Sequence, residues 1–326
     1  MPNPCPVVII LKTVAVHKYE TDGNNKHGCV KMSFSKTQSP KVIRETLKER
    51  NLAPRKSLGQ NFLIDSNVLK KIVEAGLINS GDLVLEIGPG LGALTEFLLE
   101  QAGKVVAVEY DRGLFSILTE RFKDSDCLQL FNKDIMDIDL FKLIAGSELE
   151  LKVVANLPYY ITTPIIFKLV ESGIDWKRLV FLVQKEVAQR IVARPGTKEY
   201  GALTVMLNHY GKVEKAGNVS RTVFYPEPEV DSAIVRITPY QTTTVKLQYP
   251  RLSQLVHAAF QQRRKTILNA LSATSFFRSK DELGEFLKAK GIDPNRRGET
   301  LSVAEFQSIA EGLVPEREKD EFCQPN

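Results

Sequence analysis

The chain is short of the residues that staple or metallate small folds: its 326 residues include four cysteines, four histidines and one tryptophan. Cys5, Cys29, Cys127 and Cys323 lie far apart without a Cys-x-x-Cys pair, which argues against a disulfide framework or a zinc ribbon. His17, His27, His209 and His257 share no spacing that suggests a catalytic base or a metal, so no metal is expected. Long apolar runs are missing too. Val7 to Leu11 stops at Lys12 and has neither a basic flank nor a small-residue cleavage site, so neither a membrane segment nor a secretion signal is expected. Sparse cysteine fits a reducing compartment, and a cytoplasmic location is expected. Charge of one sign is also lacking: Lys+Arg 44 against Asp+Glu 39 leaves +5, too small a surplus to argue for nucleic acid by itself.

What is present is ordinary globular material, 43% hydrophobic and 25% charged, in a chain longer than one core usually serves. A main domain with a smaller one is expected. The positive charge is clustered. Lys177, Arg178, Lys185, Arg190, Arg194 and Lys198 face a single acid, Glu186, within 22 residues, and Arg251, Arg263, Arg264 and Lys265 face none. Residues 1–38 show no continuing helical or strand pattern and are expected to form a disordered extension, with Met32 as a second possible start. From residue 39 to 247 apolar strand patterns alternate with helical ones, which predicts an α/β fold with a parallel sheet covered on both faces and antiparallel strands added at its edge. Residues 248–314 carry helical patterns only, including one helix over Arg251 to Leu271, and predict a small C-terminal helical domain. Residues 315–326 form a charged tail.

Three segments carry chemistry. Glu86-Ile87-Gly88-Pro89-Gly90-Leu91-Gly92 falls where a strand ends and a helix begins, so that backbone can approach a ligand and helix N–H groups face it. Glu109 ends the next strand, 21 positions after Gly88, where a carboxylate can accept both ribose hydroxyls of a nucleoside. These features alone leave S-adenosyl-L-methionine and NAD both open, since Ala93 completes the looser dinucleotide pattern. After the third strand, Asp134 is either an ordinary loop aspartate or an acceptor for an adenine amino group, with Ile135 over the ring face. Asn156-Leu157-Pro158-Tyr159 follows an apolar strand at the carboxyl edge of the sheet. An amino group on an aromatic base is a poor nucleophile because its lone pair is delocalised. A side-chain amide oxygen and a backbone carbonyl held in one turn can accept its hydrogens and draw it toward tetrahedral geometry, while Tyr159 offers a ring for stacking.

Lys56-Ser57-Leu58-Gly59-Gln60-Asn61-Phe62-Leu63, the glycine segment, Glu109, Asp134, the Asn156 turn, Phe224-Tyr225-Pro226-Glu227-Pro228 with Val230 and Ser232, and Phe260-Gln261-Gln262-Arg263-Arg264-Lys265-Thr266 occur in that order. Together they resemble the ribosomal RNA adenine dimethyltransferases over about residues 42 to 310, most closely the bacterial branch that dimethylates two adjacent adenosines near the 3′ end of small-subunit ribosomal RNA. The antibiotic-resistance branch acting on large-subunit RNA is the alternative. The resemblance implies a Rossmann-like methyltransferase that uses S-adenosyl-L-methionine. Asn61, Leu63, Gly88, Gly90, Glu109, Asp134, Ile135 and Asn156 would contact the cofactor. Asn156, Leu157, Pro158 and Tyr159 would hold the target base, with Phe224 either opposite Tyr159 as a second ring or merely a loop anchor. Arg263, Arg264 and Lys265, consecutive on a helix, would meet RNA phosphates or form a solvated face. The implied partners are small-subunit ribosomal RNA and the assembling 30S particle, met by a monomer. Because no continuous apolar pattern ties the extension to the core, removing residues 1–31 is expected to leave activity and Tm nearly unchanged. Thermal melts of full-length and shortened chains check this, and a drop of many degrees would show that the segment packs.

Overall fold

The computed structural model of the protein describes residues 39–240 and 243–313; the readings for residues 1–38 and for the tail from 315 lie outside the described residues. Ser39 caps α1 (Pro40–Glu49) by accepting the Val42 N–H at 3.3 Å, with proline in the first turn, where its missing N–H costs nothing. The two-residue strand β1 (Phe62–Leu63) follows, and Asp65 caps α2 (Ser66–Gly76). Strand and helix then alternate as β2 (Asp82–Ile87), α3 (Ala93–Leu99), β3 (Lys104–Glu109), α4 (Arg112–Arg121), β4 (Leu128–Asn132), α5 (Leu140–Ile144), β5 (Glu150–Asn156), α6 (Thr162–Glu171) and β6 (Arg178–Gln184). Two helices, α7 (Lys185–Ile191) and α8 (Ala202–Tyr210), lead to β7 (Gly211–Val219), β8 (Phe224–Tyr225) and β9 (Ser232–Pro239). The described chain closes with α9 (Thr243–Gln261), α10 (Ile267–Leu271), α11 (Lys280–Ala289) and α12 (Val303–Gly312). Among the described residues no helix is long and apolar enough to cross a membrane.

Seven strands form one sheet in the order β4-β3-β2-β5-β6-β9-β7. The first five run parallel, while β9 is antiparallel to both β6 and β7, as the expected edge additions require. Every residue of β2 is buried, because helices cover both faces of a parallel sheet and leave no polar side. The chain steps outward from β2 to β3 and β4, then returns to place β5 on the other side of β2. Connections therefore leave β2 and β5 in opposite directions, and their carboxyl ends frame a crevice where ligands of such sheets bind. At the opposite end of the same pair, the Lys152 ammonium is held by Asp82 Oδ2 at 2.8 Å and the Leu77 carbonyl at 2.7 Å, with Asp82 fully buried.

The structure departs from the sequence reading in three places. The helix expected over Arg251 to Leu271 is two helices, α9 and α10, separated by a turn at Gln262–Lys265. Thr266 starts α10 as its N-cap, accepting the Asn269 N–H, and such a cap marks a helix start. Arg263, Arg264 and Lys265 consequently lie in a turn and do not fan around a helix. Second, length suggested separate cores, yet Leu252, Leu255, Leu283 and Phe306 belong to the same buried cluster as Phe181 and Val235 of the sheet. Third, β1 and β8 pair as a separate two-stranded ladder, Phe62 with Tyr225 and Leu63 with Phe224, too short to show as a period in the sequence.

Arg263 has structural work in that turn. One guanidinium nitrogen donates to the carbonyls of Lys198 and Tyr200 at 3.0 Å each and stands 3.1 Å from the Glu299 carboxylate. It thus ties the α7–α8 loop to the loop before α12. Arg264 and Lys265 are exposed. Arg263→Ala is expected to cost about 1–2 kcal/mol, since its pair is partly exposed but two backbone carbonyls lose a charged donor. Arg264→Ala and Lys265→Ala should stay within about 0.5 kcal/mol of wild type. Chemical denaturation of the three variants separates them, and equal stabilities would refute the assignment.

Candidate active site

At the crevice between β2 and β5 lies a cavity lined by the turn after β2, the ends of β3, β4 and β5, and the segment from Leu58 to Leu63 that folds over them. The turn after β2 needs its glycines. Gly88, Gly90 and Gly92 have φ of +68°, +63° and +85°, in the left-handed region that side chains resist. At Gly92 a Cβ would also stand 2.5 Å from the Phe122 ring, so close packing of α3 on α4 depends on it. Gly88 and Gly90 line the cavity directly.

Glu109, at the end of β3, is 6% exposed. Its Oε1 accepts the Asp111 N–H at 2.9 Å and its Oε2 accepts the Gly90 N–H at 3.1 Å. Burial lifts its pKa to about 7 against the pull of those N–H groups. The carboxylate is thereby oriented into the cavity with lone pairs to spare on both oxygens. Asp134 follows β4 and spends Oδ1 on the Met136 N–H at 2.8 Å, leaving Oδ2 without a partner among the described residues. Ile135 lies beside it, buried, and both line the cavity.

The turn after β5 stands opposite. Leu157 is anchored by its N–H to the Leu182 carbonyl at 3.1 Å, and the Pro158 carbonyl is used by the Ile161 N–H and the Thr162 hydroxyl, which start α6. The Leu157 carbonyl has no partner among the described residues. Asn156 donates its amide N–H to the Asn61 carbonyl at 3.4 Å, and Asn61 donates to the Gly59 carbonyl at 3.1 Å. Donation by the amide nitrogen orients the Asn156 oxygen away from that segment. Tyr159 is partly exposed on the cavity wall, and its hydroxyl meets the Ser232 hydroxyl at 2.7 Å.

The structure thus brings Asn61, Leu63, Gly88, Gly90, Glu109, Asp134, Ile135, Asn156, Leu157, Pro158 and Tyr159 to one cavity. Phe224 is not among the lining residues: it is 3% exposed, pairs with Leu63 across β1 and β8, and packs in the buried cluster with Leu69 and Ile234. Arg263, Arg264 and Lys265 are likewise absent from its lining.

Two participants were not foreseen as site residues. Asp111 caps α4 through Oδ1, while its Oδ2 takes the Gln60 amide at 3.2 Å and the Arg55 guanidinium at 3.3 Å. It clasps the covering segment beside Glu109. Only an Asp before a helical pattern signalled it, and that signal points to a cap. Glu86 is 1% exposed, lines the cavity, and accepts the Thr95 hydroxyl at 2.7 Å; burial raises its pKa to about 8. Among the described residues no group of three or more His, Cys, Asp or Glu is placed to hold a metal ion.

Residues 51–314 match the family described as ribosomal RNA adenine dimethylase. The chain belongs to that family. Among similar curated proteins, Ribosomal RNA small subunit methyltransferase A of Moorella thermoacetica is 48% identical over 275 residues, covering 82% of this chain and 95% of the relative. The protein of the same name from Geobacillus thermodenitrificans is 44% identical over 283 residues, covering 85% and 97%. A solved dimethyladenosine transferase from Plasmodium falciparum superposes with a TM-score of 0.66 at 28% identity, over 76% of this chain and 95% of that one. Membership of a methylase family takes the glycine turn away from the dinucleotide alternative.

A group whose folded pKa is raised stabilises the fold fully below its unfolded value and loses that contribution as pH rises through the folded value. For Glu86 that window runs from 4.5 to about 8. Glu86→Gln retains an acceptor for Thr95 and cannot ionise, so Tm of the wild type should fall further between pH 5 and pH 9 than Tm of the variant. Parallel melting curves across that range would show that Glu86 ionisation is not costly.

Proposed function

We propose that this chain transfers methyl groups from S-adenosyl-L-methionine to the N6 amino groups of two adjacent adenosines in the 3′-terminal hairpin loop of small-subunit (16S) ribosomal RNA. It does so in the cytoplasm, as a monomer, on the assembling 30S particle. The observation that carries the reading is the pair of acceptors at Asn156 and Leu157, set at the mouth of a glycine-floored cavity that contains the Glu109 carboxylate.

The cavity fits the cofactor on its own donor set. Glu109 keeps free lone pairs on both oxygens for two ribose hydroxyls, and Asp134 Oδ2 is open for an adenine amino group beside the apolar face of Ile135. Gly88 and Gly90 put backbone where a side chain would intrude, and Asn61 and Leu63 close the cavity from above. When bound there, the cofactor supplies a methyl group on a positively charged sulfur, already electrophilic enough to need no metal.

The residues of the chain then act on the nucleophile. Asn156 Oδ1 and the Leu157 carbonyl accept the two hydrogens of the adenine amino group, which localises its lone pair on nitrogen. Pro158 spends its own carbonyl on α6 and so fixes the turn that presents both acceptors. The nitrogen becomes acidic only as its new bond forms, so its proton passes to water and no strong base is required beside it; among the described residues, no histidine lines the cavity. Tyr159 stacks on a base withdrawn from its helix. The segment 248–314 supplies RNA contacts, with Arg264 and Lys265 exposed toward phosphates and Arg263 holding the turn that presents them.

Asn156→Ala is expected to slow single-turnover methylation of small-subunit RNA about 10²–10³-fold at saturating cofactor, by analogy with loss of one oxyanion-hole donor. Glu109→Ala should weaken cofactor binding by roughly 1.5–3 kcal/mol. Because Glu109 must be ionised to accept both hydroxyls and titrates near 7, wild-type affinity should fall as pH drops below 7 while that of the variant stays flat. Calorimetry across pH and mapping of the methylated base test the reading. Wild-type rate in Asn156→Ala, or a methylated base elsewhere, overturns it.

A further inference from the structure

The Phe224–Ser232 motif reaches the cavity wall through a different residue from the one its aromatic start suggests. Ser232 is fully buried at the first position of β9, paired with Gln184 of β6 and Val219 of β7. The residues leading to it are braced: Asp231 receives the Lys185 N–H on its carbonyl at 2.9 Å and the Arg221 N–H on Oδ1 at 3.1 Å, and Arg221 pairs with Glu227 at 2.9 Å. Its hydroxyl therefore sits on a frame three strands wide. The only hydrogen bond it makes among the described residues is with the Tyr159 hydroxyl at 2.7 Å.

A tyrosine ring pivots at Cβ, and the hydroxyl is the point farthest from that pivot. A bond there limits the swing of the whole ring more than contact near the stem. Tyr159 is only partly exposed, and its hydroxyl meets a fully buried serine, so the ring is held from its protein side. Burial also pushes the Tyr159 phenol up, which keeps its proton available for the bond.

We propose that Ser232 is a positioning residue that fixes the plane of the Tyr159 ring, so the antiparallel edge of the sheet sets how the target base is held while the parallel half holds the cofactor. This rests on Tyr159 being the base platform of the reading above. It departs from a pure stacking role, in which Tyr159→Phe would be silent.

The test uses the full chain with small-subunit RNA, and compares Ser232→Ala, Tyr159→Phe, their combination, and Tyr159→Ala. Each of the first two removes the same bond. Each should lower the single-turnover rate at saturating cofactor about fivefold, the kinetic equivalent of one hydrogen bond, and raise the RNA concentration needed for half-maximal rate. The combination should be no slower than the slower single variant, and cofactor affinity should be unchanged in all three. Losses that multiply in the combination, or wild-type rates in both single variants while Tyr159→Ala is slow, overturn the positioning role and leave the platform standing. A wild-type rate in Tyr159→Ala overturns the platform itself, and the inference with it. If Ser232→Ala does not fold, Tyr159→Phe decides alone, since it breaks the bond from the less buried side.

Discussion

The site depends on β2 and β5 lying side by side while the chain that follows each turns away in opposite directions. Parallel pairing matches Leu83 with Leu151 and Leu85 with Val153, which brings Gly88 and Asn156 to the same edge. A Cβ on Gly88 would stand 3.9 Å from the Asn156 carbonyl. A one-residue slip would turn every side chain of β5 to the other face of the sheet. It would bury polar Lys152 among apolar neighbours and withdraw it from Asp82. The Lys152–Asp82 contact at the amino ends and the Gly88–Asn156 approach at the carboxyl ends are two consequences of one register, one structural and one functional.

Much of this was legible because it is local or periodic. An apolar run of strand length ending in glycines marks β2 and its turn, and a carboxylate one strand later marks Glu109. The Asn156 turn is four consecutive residues whose chemistry needs no knowledge of the fold. The parallel sheet follows from strand and helix alternation, with antiparallel strands expected at its edge. What escaped depends on residues far apart in sequence. Nothing near Arg263 indicates that carbonyls at 198 and 200 will stand within reach of it. Phe224 looks like a base-stacking ring beside its prolines, yet pairing of β8 with β1 turns it inward against Leu63. Asp111 carries a helix-cap signal that conceals its second grip on Gln60 and Arg55.

Those missed contacts share a purpose. The parallel half of the sheet brings the ends of β2, β3, β4 and β5 together, but the covering segment and the base platform come from elsewhere and must be tied on. Asp111 ties the covering segment through Gln60 and Arg55. Asn61 ties the same segment to Asn156, and Arg263 ties the terminal helices to the α7–α8 loop. Each tie is one charged or polar side chain reaching backbone or a single partner, worth about a kilocalorie per mole or a few, so none governs the stability of the whole. They govern where a few atoms stand.

That division explains why Glu109 can be both buried and functional. A carboxylate placed in an apolar wall is costly unless donors meet it, and here N–H groups of Gly90 and Asp111 meet it, which belong to the glycine turn and to the residue that clasps the covering segment. Glu109 is held by the same two structures that enclose the cavity. The ribose site, the glycine floor and the clasp are therefore not separable features. A change that displaces the Asp111 backbone weakens a donor to Glu109, favours its protonated form, and weakens the acceptor that a nucleoside needs.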